Sequence, residues 1–166
     1  MAVQPLQAKS DLEQVAVSVG RLLEEGHYTR QPLNDEVSKK FLKTYLELLD
    51  FSHLFFTQQD VDMLYAKYGT SIDDDVLLGN LKPAYEIYEL YMKRVDDRVA
   101  KVKALLNQPN DVKPDATIDL SRQKAPWPKD EAEADEIWRL RVANELLQEK
   151  LSEHPIEPGP QLIARR

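Results

Sequence analysis

The chain has 166 residues, of which 42% are hydrophobic, and its formal net charge is −7. A chain of this length buries enough surface to fold without a metal or a disulfide, and its lack of cysteine excludes thiol chemistry, zinc fingers and iron–sulfur ligation. The negative charge disfavours general nucleic-acid binding, because it repels phosphate, and no stretch approaches the ~20 apolar residues that span a membrane.

The first predicted helix has apolar side chains spaced three and four residues apart, which is typical of an amphipathic helix. These are Leu12, Val15, Ala16, Val19, Leu22 and Leu23. Gly26 is expected to end this helix, and Asn34 is expected to cap the start of the next one. The apolar positions of that second helix cover more than one stripe, so we expect it to be buried on two sides.

Two shorter helices follow. Thr57 and Asp60 have the spacing of a capping box at the start of the third helix, which Gly69 ends. The fourth helix is predicted over residues 73–78, with Gly79 after it. The three aspartates that open it suit a helix N-terminus, whereas calcium would need ligands spread over about a dozen residues.

The longest predicted helix begins near Pro83, where a missing N–H costs nothing. Its apolar seam is Tyr85, Tyr88, Met92, Val95, Val99, Val102 and Leu106. The spacing predicts an antiparallel hairpin or a short coiled coil. Tyr85, Tyr88 and Tyr91 could also stack on nucleic-acid bases, but Tyr85 and Tyr88 continue the seam, so core packing is the preferred interpretation.

An irregular but ordered connection is expected over residues 107–119, and a stiff segment follows at Pro126-Trp127-Pro128. The two proline rings restrict the backbone on both sides of Trp127, so the indole is expected to act as a wedge between helices. A last helix is expected to begin with the acidic run at 130–136, which we interpret as its solvated first turn. The sequence therefore predicts an all-α, multi-helix orthogonal or bundle-like domain with one long helical hairpin and an ordered proline-rich connection.

Three bulky apolar residues, Leu54, Phe55 and Phe56, lie in a connection between predicted helices. Such residues need cover. They either plug the underside of this domain or form a docking surface for another part of a larger protein or its substrate. Both interpretations stay open at this stage.

No catalytic, cofactor-binding or metal-binding residue is predicted. Asp50, Ser52 and His53 resemble the members of a serine hydrolase triad, but triad members usually come from distant segments. A turn capped by Asp50 or Ser52 is the preferred interpretation. No histidine has a second one at the spacing that a helical metal site needs.

The segment Ser121-Arg122-Gln123-Lys124-Ala125-Pro126-Trp127-Pro128-Lys129 resembles the Lys-Ala-Pro-Trp-Pro segment of the tail-specific proteases, which are C-terminal-processing serine peptidases of the bacterial cell envelope. Further matches, in chain order, are Gly26-His27-Tyr28-Thr29-Arg30, Phe41-Leu42, Tyr45-Leu46, Leu49-Asp50-Phe51-Ser52-His53, Thr57 to Asp60, Tyr85, Tyr88 and Trp138. The resemblance covers roughly Leu12 to Leu151, in the N-terminal helical domain of that family.

The resemblance implies a helical accessory domain over residues 1–154, followed at 155–166 by a linker and the start of a truncated helix. It implies a non-catalytic role in packing around a protease core and restricting substrate access. Implied partners are the PDZ-like and Ser/Lys peptidase domains of the same parent chain, its protein substrates and an adaptor protein. The implied location is the periplasm or cell envelope, with the export signal removed. The alternative is a free-standing α-helical interaction module that binds through the Tyr85–Leu106 seam or around Leu54–Phe56.

Overall fold

The computed structural model describes residues 10–26, 33–107 and 117–151. Within these ranges the chain forms six α-helices and no strand, which confirms the all-α class. The helices are α1 Asp11–Gly26, α2 Asp35–Leu49, α3 Gln58–Tyr68, α4 Ile72–Leu78, α5 Lys82–Leu106 and α6 Glu131–Leu151, with one 3-10 turn at Arg122–Lys124. The expected limits of the accessory domain and most of the 107–119 connection lie outside the described residues.

The chain divides into two compact units. The first unit comprises residues 1–48 and 62–89, and the second comprises residues 49–61 and 90–166. Helices α2, α3 and α5 each contribute residues to both units, α2 only through Leu49.

The predicted helix starts are confirmed at the level of single hydrogen bonds. The Asn34 side-chain oxygen accepts from the N–H groups of Glu36 and Val37, each at 3.1 Å. Thr57 and Asp60 form the reciprocal pair of a capping box, with Asp60 N–H donating to Thr57 Oγ1 at 3.2 Å and Thr57 N–H donating to Asp60 Oδ2 at 3.0 Å. These contacts satisfy N–H groups that have no partner inside the helix.

The predicted end of α4 is confirmed as well. Gly79 follows the helix with φ of 70°, a left-handed conformation that costs glycine little. The three aspartates lie in the first turn, as expected, although the helix already begins at Ile72.

The core of the first unit contains Leu42 and Leu46 of α2, Leu64 of α3 and Ile87 of α5, all of them buried. A buried polar contact joins α2 to α4, since the Ser38 hydroxyl donates to Asp73 Oδ1 at 2.5 Å and accepts from the Asp73 N–H at 2.8 Å. Both groups are therefore satisfied where water is excluded.

Helix α1 packs on α4 through a narrower face than its apolar pattern predicts. A Cβ atom at Gly20 would lie 3.1 Å from Val76 Cγ1 and 3.3 Å from Leu77 Cδ2, so glycine permits this close approach. The expected stripe does not face this contact, because Leu12, Val15, Val19 and Leu22 are exposed. The helix and its end at Gly26 are confirmed, and of the predicted apolar stripe only Ala16 and Leu23 are half-buried.

The expected core seam of α5 was also wrong. Tyr85 is 54% exposed and Tyr88 is 47% exposed, and Met92 and Val99 are exposed as well. Of the expected seam Val102 is buried, and the other residues turned away from solvent are Ile87, Tyr91, Arg94 and Arg98. The buried arginine on this face is compatible with burial because it has acidic partners.

Candidate functional site

Asp50 organises the turn after α2 in the second unit. Its side chain is buried, and its Oδ1 accepts from the Leu54 N–H at 2.8 Å. Its Oδ2 accepts from the N–H groups of Phe55 and Phe56, each at 3.0 Å, and from the Trp127 indole N–H at 3.2 Å. One carboxylate thus satisfies three backbone donors of a turn and anchors the indole of a distant segment.

His53 contacts the same segment, residues 125–128, through its ring and through Nδ1. Its ring stacks on Trp127 with 3.9 Å between ring centroids and 27° between planes. His53 Nδ1 lies 2.5 Å from the Ala125 carbonyl oxygen, and because a carbonyl only accepts, Nδ1 carries the proton here. The Gln58 N–H donates to the Pro128 oxygen at 2.7 Å. The Pro126-Trp127-Pro128 segment is therefore fastened to the 50–58 turn at several points, which we name the Trp127 anchor.

The three bulky residues of the 50–58 turn pack inside the second unit to different extents. Leu54 and Phe56 are buried, whereas Phe55 is half-buried. The Phe55 ring meets Tyr91 edge-on at 5.6 Å and Trp138 at 5.6 Å. The Trp138 indole N–H donates to the Leu54 carbonyl at 2.9 Å. Buried side chains leave little surface for a partner, so these contacts favour a packing role for Leu54 and Phe56 over docking.

The second unit also contains an ion-pair network that the sequence interpretation missed. Arg94 binds both carboxylate oxygens of Asp60, at 2.9 and 2.7 Å, and Glu131 at 2.7 Å. Arg98, which is 4% exposed, binds Asp135 at 2.5 Å. Glu131 and Asp135 at the start of α6 therefore bind α5, whereas Glu133 and Glu136 of the same acidic run are exposed to solvent as expected.

Lys101 completes this network through contacts of 2.9 Å with Glu131 and 2.7 Å with Asp135. The sequence signal is the matched spacing of bases at 94, 98 and 101 on α5 and of acids at 131 and 135 on α6. Because side chains three or four residues apart share one helix face, each row could present its charges together.

The network shifts the pKa values of Asp135, Lys101 and Arg94. Burial acts to raise the pKa of Asp135, but hydrogen bonds from Lys101 and Arg98 outweigh it, so the pKa lies below its ordinary value. Burial acts to lower the pKa of Lys101, and hydrogen bonds to Asp135 and Glu131 outweigh that effect and raise it. The hydrogen bond to Asp60 raises the pKa of Arg94. All these groups are therefore held in their charged forms at neutral pH.

Asp50, Ser52 and His53 do not form the hydrolase triad that they resemble in the sequence. In a triad, the histidine Nδ1–H donates to the aspartate, but His53 Nδ1 contacts the Ala125 carbonyl instead. The Asp50 oxygens are occupied by backbone amides and an indole. Both side chains therefore have structural partners.

Residues 10–26, 33–107 and 117–151 contain neither a cluster of potential metal ligands nor a membrane-spanning helix. No three or more histidine, aspartate or glutamate side chains in those ranges come together as metal ligands. None of the helices there is both long and apolar enough to cross a membrane. The remaining histidines, His27 and His154, lie outside the described residues.

Comparison with known proteins gives one consistent result. Residues 19–165 match the family model described as the tail-specific protease N-terminal domain. The chain is 35% identical over 161 residues to the tail-specific protease of Haemophilus influenzae, an alignment that covers 92% of this chain. The same alignment covers 23% of that relative, so the chain spans about a quarter of its length. The resemblance seen in the sequence is confirmed, and the chain belongs to the tail-specific protease N-terminal domain family.

Proposed function

We propose that this domain is a non-catalytic part of a tail-specific serine endopeptidase, in which it packs around the protease core and restricts substrate access. The observation that carries the proposal is the Trp127 anchor. In this anchor Asp50 and His53, which a hydrolase could have used for catalysis, bind backbone groups and an indole. Such side chains stabilise a surface and leave bond cleavage to other residues.

The buried contacts support a scaffolding role. Asp50, Arg98 and Phe56 are all largely withdrawn from solvent and make specific contacts within the second unit. The Asp50 carboxylate accepts four hydrogen bonds in this unit, and a buried polar group satisfied in this way rigidifies a fold. A rigid helical wall excludes folded proteins by steric hindrance and admits an unfolded chain end.

The remaining parts of the proposal concern the longer protein. We propose that PDZ-like and Ser/Lys peptidase domains elsewhere in the parent chain supply substrate binding and catalysis. Protein substrates and an adaptor protein are the further partners, and the periplasm or cell envelope is the location. The relative's name and the quarter of its length that this chain spans support these assignments.

A direct test uses the purified chain and an unfolded polypeptide that carries a C-terminal tag. We expect no new fragments by gel or mass spectrometry after overnight incubation, because on this proposal the catalytic serine and lysine belong to another domain of the parent chain. The full-length Haemophilus protease is the positive control. Cleavage that co-purifies with the chain, and that disappears when His53 is replaced by Ala without loss of helical content, would overturn the non-catalytic assignment.

The alternative, a free-standing interaction module, draws support from the exposed side chains of Tyr85 and Tyr88. An immunoblot of source cells separates the two proposals. A native protein much larger than this chain favours the protease domain, whereas a native protein of the chain's own size favours the module.

A further inference from the structure

Helix α1 has apolar residues on two neighbouring faces, and α4 covers only one of them. The covered face contains Gly20, which is buried against α4, with Ala16 and Leu23 half-buried beside it. The second face lies about a third of a turn away, and we name it the α1 seam. Its residues and their exposed fractions are Leu12 61%, Val15 57%, Val19 47% and Leu22 68%. A helix that is apolar on two faces is expected to be covered on both.

The spacing of the α1 seam indicates that another helix covers it. Its four residues follow one another at intervals of three, four and three, which is the a/d repeat of a coiled coil. A partner helix can insert side chains between such positions, whereas a strand presents its side chains with a period of two. Because the close approach at Gly20 fixes α1 on α4, the seam is held in one position for this contact.

The charges beside the α1 seam indicate a basic partner. Asp11 and Glu25 occupy the positions that flank the a/d row on the side away from α4. Both are exposed, and neither belongs to an ion pair within the described residues. Lysine or arginine on the partner helix would complement them. Two antiparallel copies of α1 would instead bring these carboxylates together, which disfavours self-association.

The size of the α1 seam indicates where the partner helix comes from. Its four half-exposed side chains offer on the order of a few hundred Å² of apolar surface, whereas a stable complex of separate proteins buries about 800 Å² on each partner. A helix tethered in the same polypeptide needs a smaller surface, because its effective concentration is high. The Haemophilus relative extends far beyond the matched region, which is 23% of its length, and therefore has ample sequence to supply such a helix.

We propose that the α1 seam docks a helix from the rest of the parent chain. That helix presents apolar residues at the same spacing of three and four, with lysine or arginine opposite Asp11 and Glu25. The inference rests on the proposed function, because it requires a parent chain longer than this domain. It identifies one surface through which the domain packs within the protease, and the chemistry of that contact.

One test compares thiol accessibility in this chain and in the full-length parent protein. The chain has no cysteine, so Leu22→Cys introduces a single reporter into it. Its reaction with a maleimide, quantified by peptide mass spectrometry, should be about tenfold slower or more in the parent, because the partner helix covers the position. Lys43→Cys, at an exposed polar position of α2, is the control and should change less than about threefold. Equal rates at position 22 in the two proteins, or equal protection at both positions, would overturn the proposal.

Photocrosslinking in the full-length parent identifies the occupant. Benzoylphenylalanine replaces Val19, and crosslinked peptides are mapped after irradiation. We expect a product with the mass of one parent chain, in which position 19 is joined to an apolar, basic segment outside residues 1–166.

The proposal is wrong if position 19 gives no crosslink, or if it joins residues 1–166, a second parent chain or another protein. Any of these products from a large parent would remove only the docking of the α1 seam. A native protein of the chain's own size in the immunoblot would remove the proposed function as well. Circular dichroism checks that each variant keeps its helices.

Discussion

At the scale of single residues, the second unit depends on one buried carboxylate. Asp50 is 2% exposed and accepts four hydrogen bonds, three from the turn that follows α2 and one from Trp127. Removing it would leave several buried donors without a partner, which costs far more than the loss of a surface hydrogen bond. The position therefore combines local turn formation with the attachment of a segment 77 residues away.

We expect Asp50→Ala to lower the free energy of unfolding by about 3 kcal/mol, because buried donors lose a charged acceptor. Urea titration followed by circular dichroism measures this change, and hydrogen exchange at the amides of residues 54–56 should accelerate. Asp96→Ala, on an exposed position of α5, should change stability by less than about 0.5 kcal/mol. Equal stability of Asp50→Ala and the unaltered chain would show that the Trp127 anchor does not stabilise the fold.

The capping residues were predictable from the sequence. Of the Trp127 anchor, the stiff segment was predictable but its contacts were not. Asn34 and Thr57 act on groups two or three residues away, so their signals lie within a short window. The stiffness of the Pro126-Trp127-Pro128 segment could be read locally as well. Its partners Asp50 and His53 could not be predicted, because the sequence does not show which distant side chains contact the Trp127 indole.

At the scale of elements, charge decides which face of α5 is covered. The expected seam contained only apolar and aromatic residues, but the covered face includes Arg94 and Arg98. Arginine can be buried when carboxylates match its planar donors, and these carboxylates come from the start of α6 and from Asp60. Periodicity alone ranks arginine as a surface residue, so it assigned the wrong face.

A second set of charges joins α3 to the start of α5 within the first unit. Glu86 accepts from Lys67 at 2.6 Å and from the Tyr68 hydroxyl. The hydrogen bond from Lys67, followed by that from Tyr68, lowers the pKa of Glu86 from 4.5 to about 2. The folded state therefore binds a proton at Glu86 less readily than the unfolded chain does.

This shift predicts a loss of stability in acid. A depressed pKa stabilises the fold fully above about pH 4.5 and loses this contribution as the pH falls towards 2. Between pH 5 and pH 2.5, the melting temperature of Glu86→Gln should therefore fall less than that of the unaltered chain. Glu89→Gln, at an exposed position of the same helix, should retain the full decline. Parallel curves for all three proteins would mean that Glu86 is not linked to folding.

At the scale of the whole molecule, family membership was predictable because most of the chain contains short motifs that match those of the family in the same order. The Pro-Trp-Pro segment and the turn at residues 49–53 were the main signals, and the structure shows that these two segments bind each other. Their shared appearance in the sequence thus has a physical basis. The exposure of apolar side chains on α1 and α5 was not predictable, because an apolar stripe in the sequence does not show whether another element covers it.

The measurement that tests the central claim most directly uses the Haemophilus protease with its corresponding helical region either replaced by this chain or deleted. Two C-terminally tagged substrates are compared, one unfolded and one stably folded, and the ratio of their cleavage rates is determined. We predict that the original protease and the replacement both cleave the unfolded substrate at least tenfold faster than the folded one, while the deletion still cleaves polypeptide but loses this difference. A deletion variant that remains folded and active with an unchanged ratio would contradict the account.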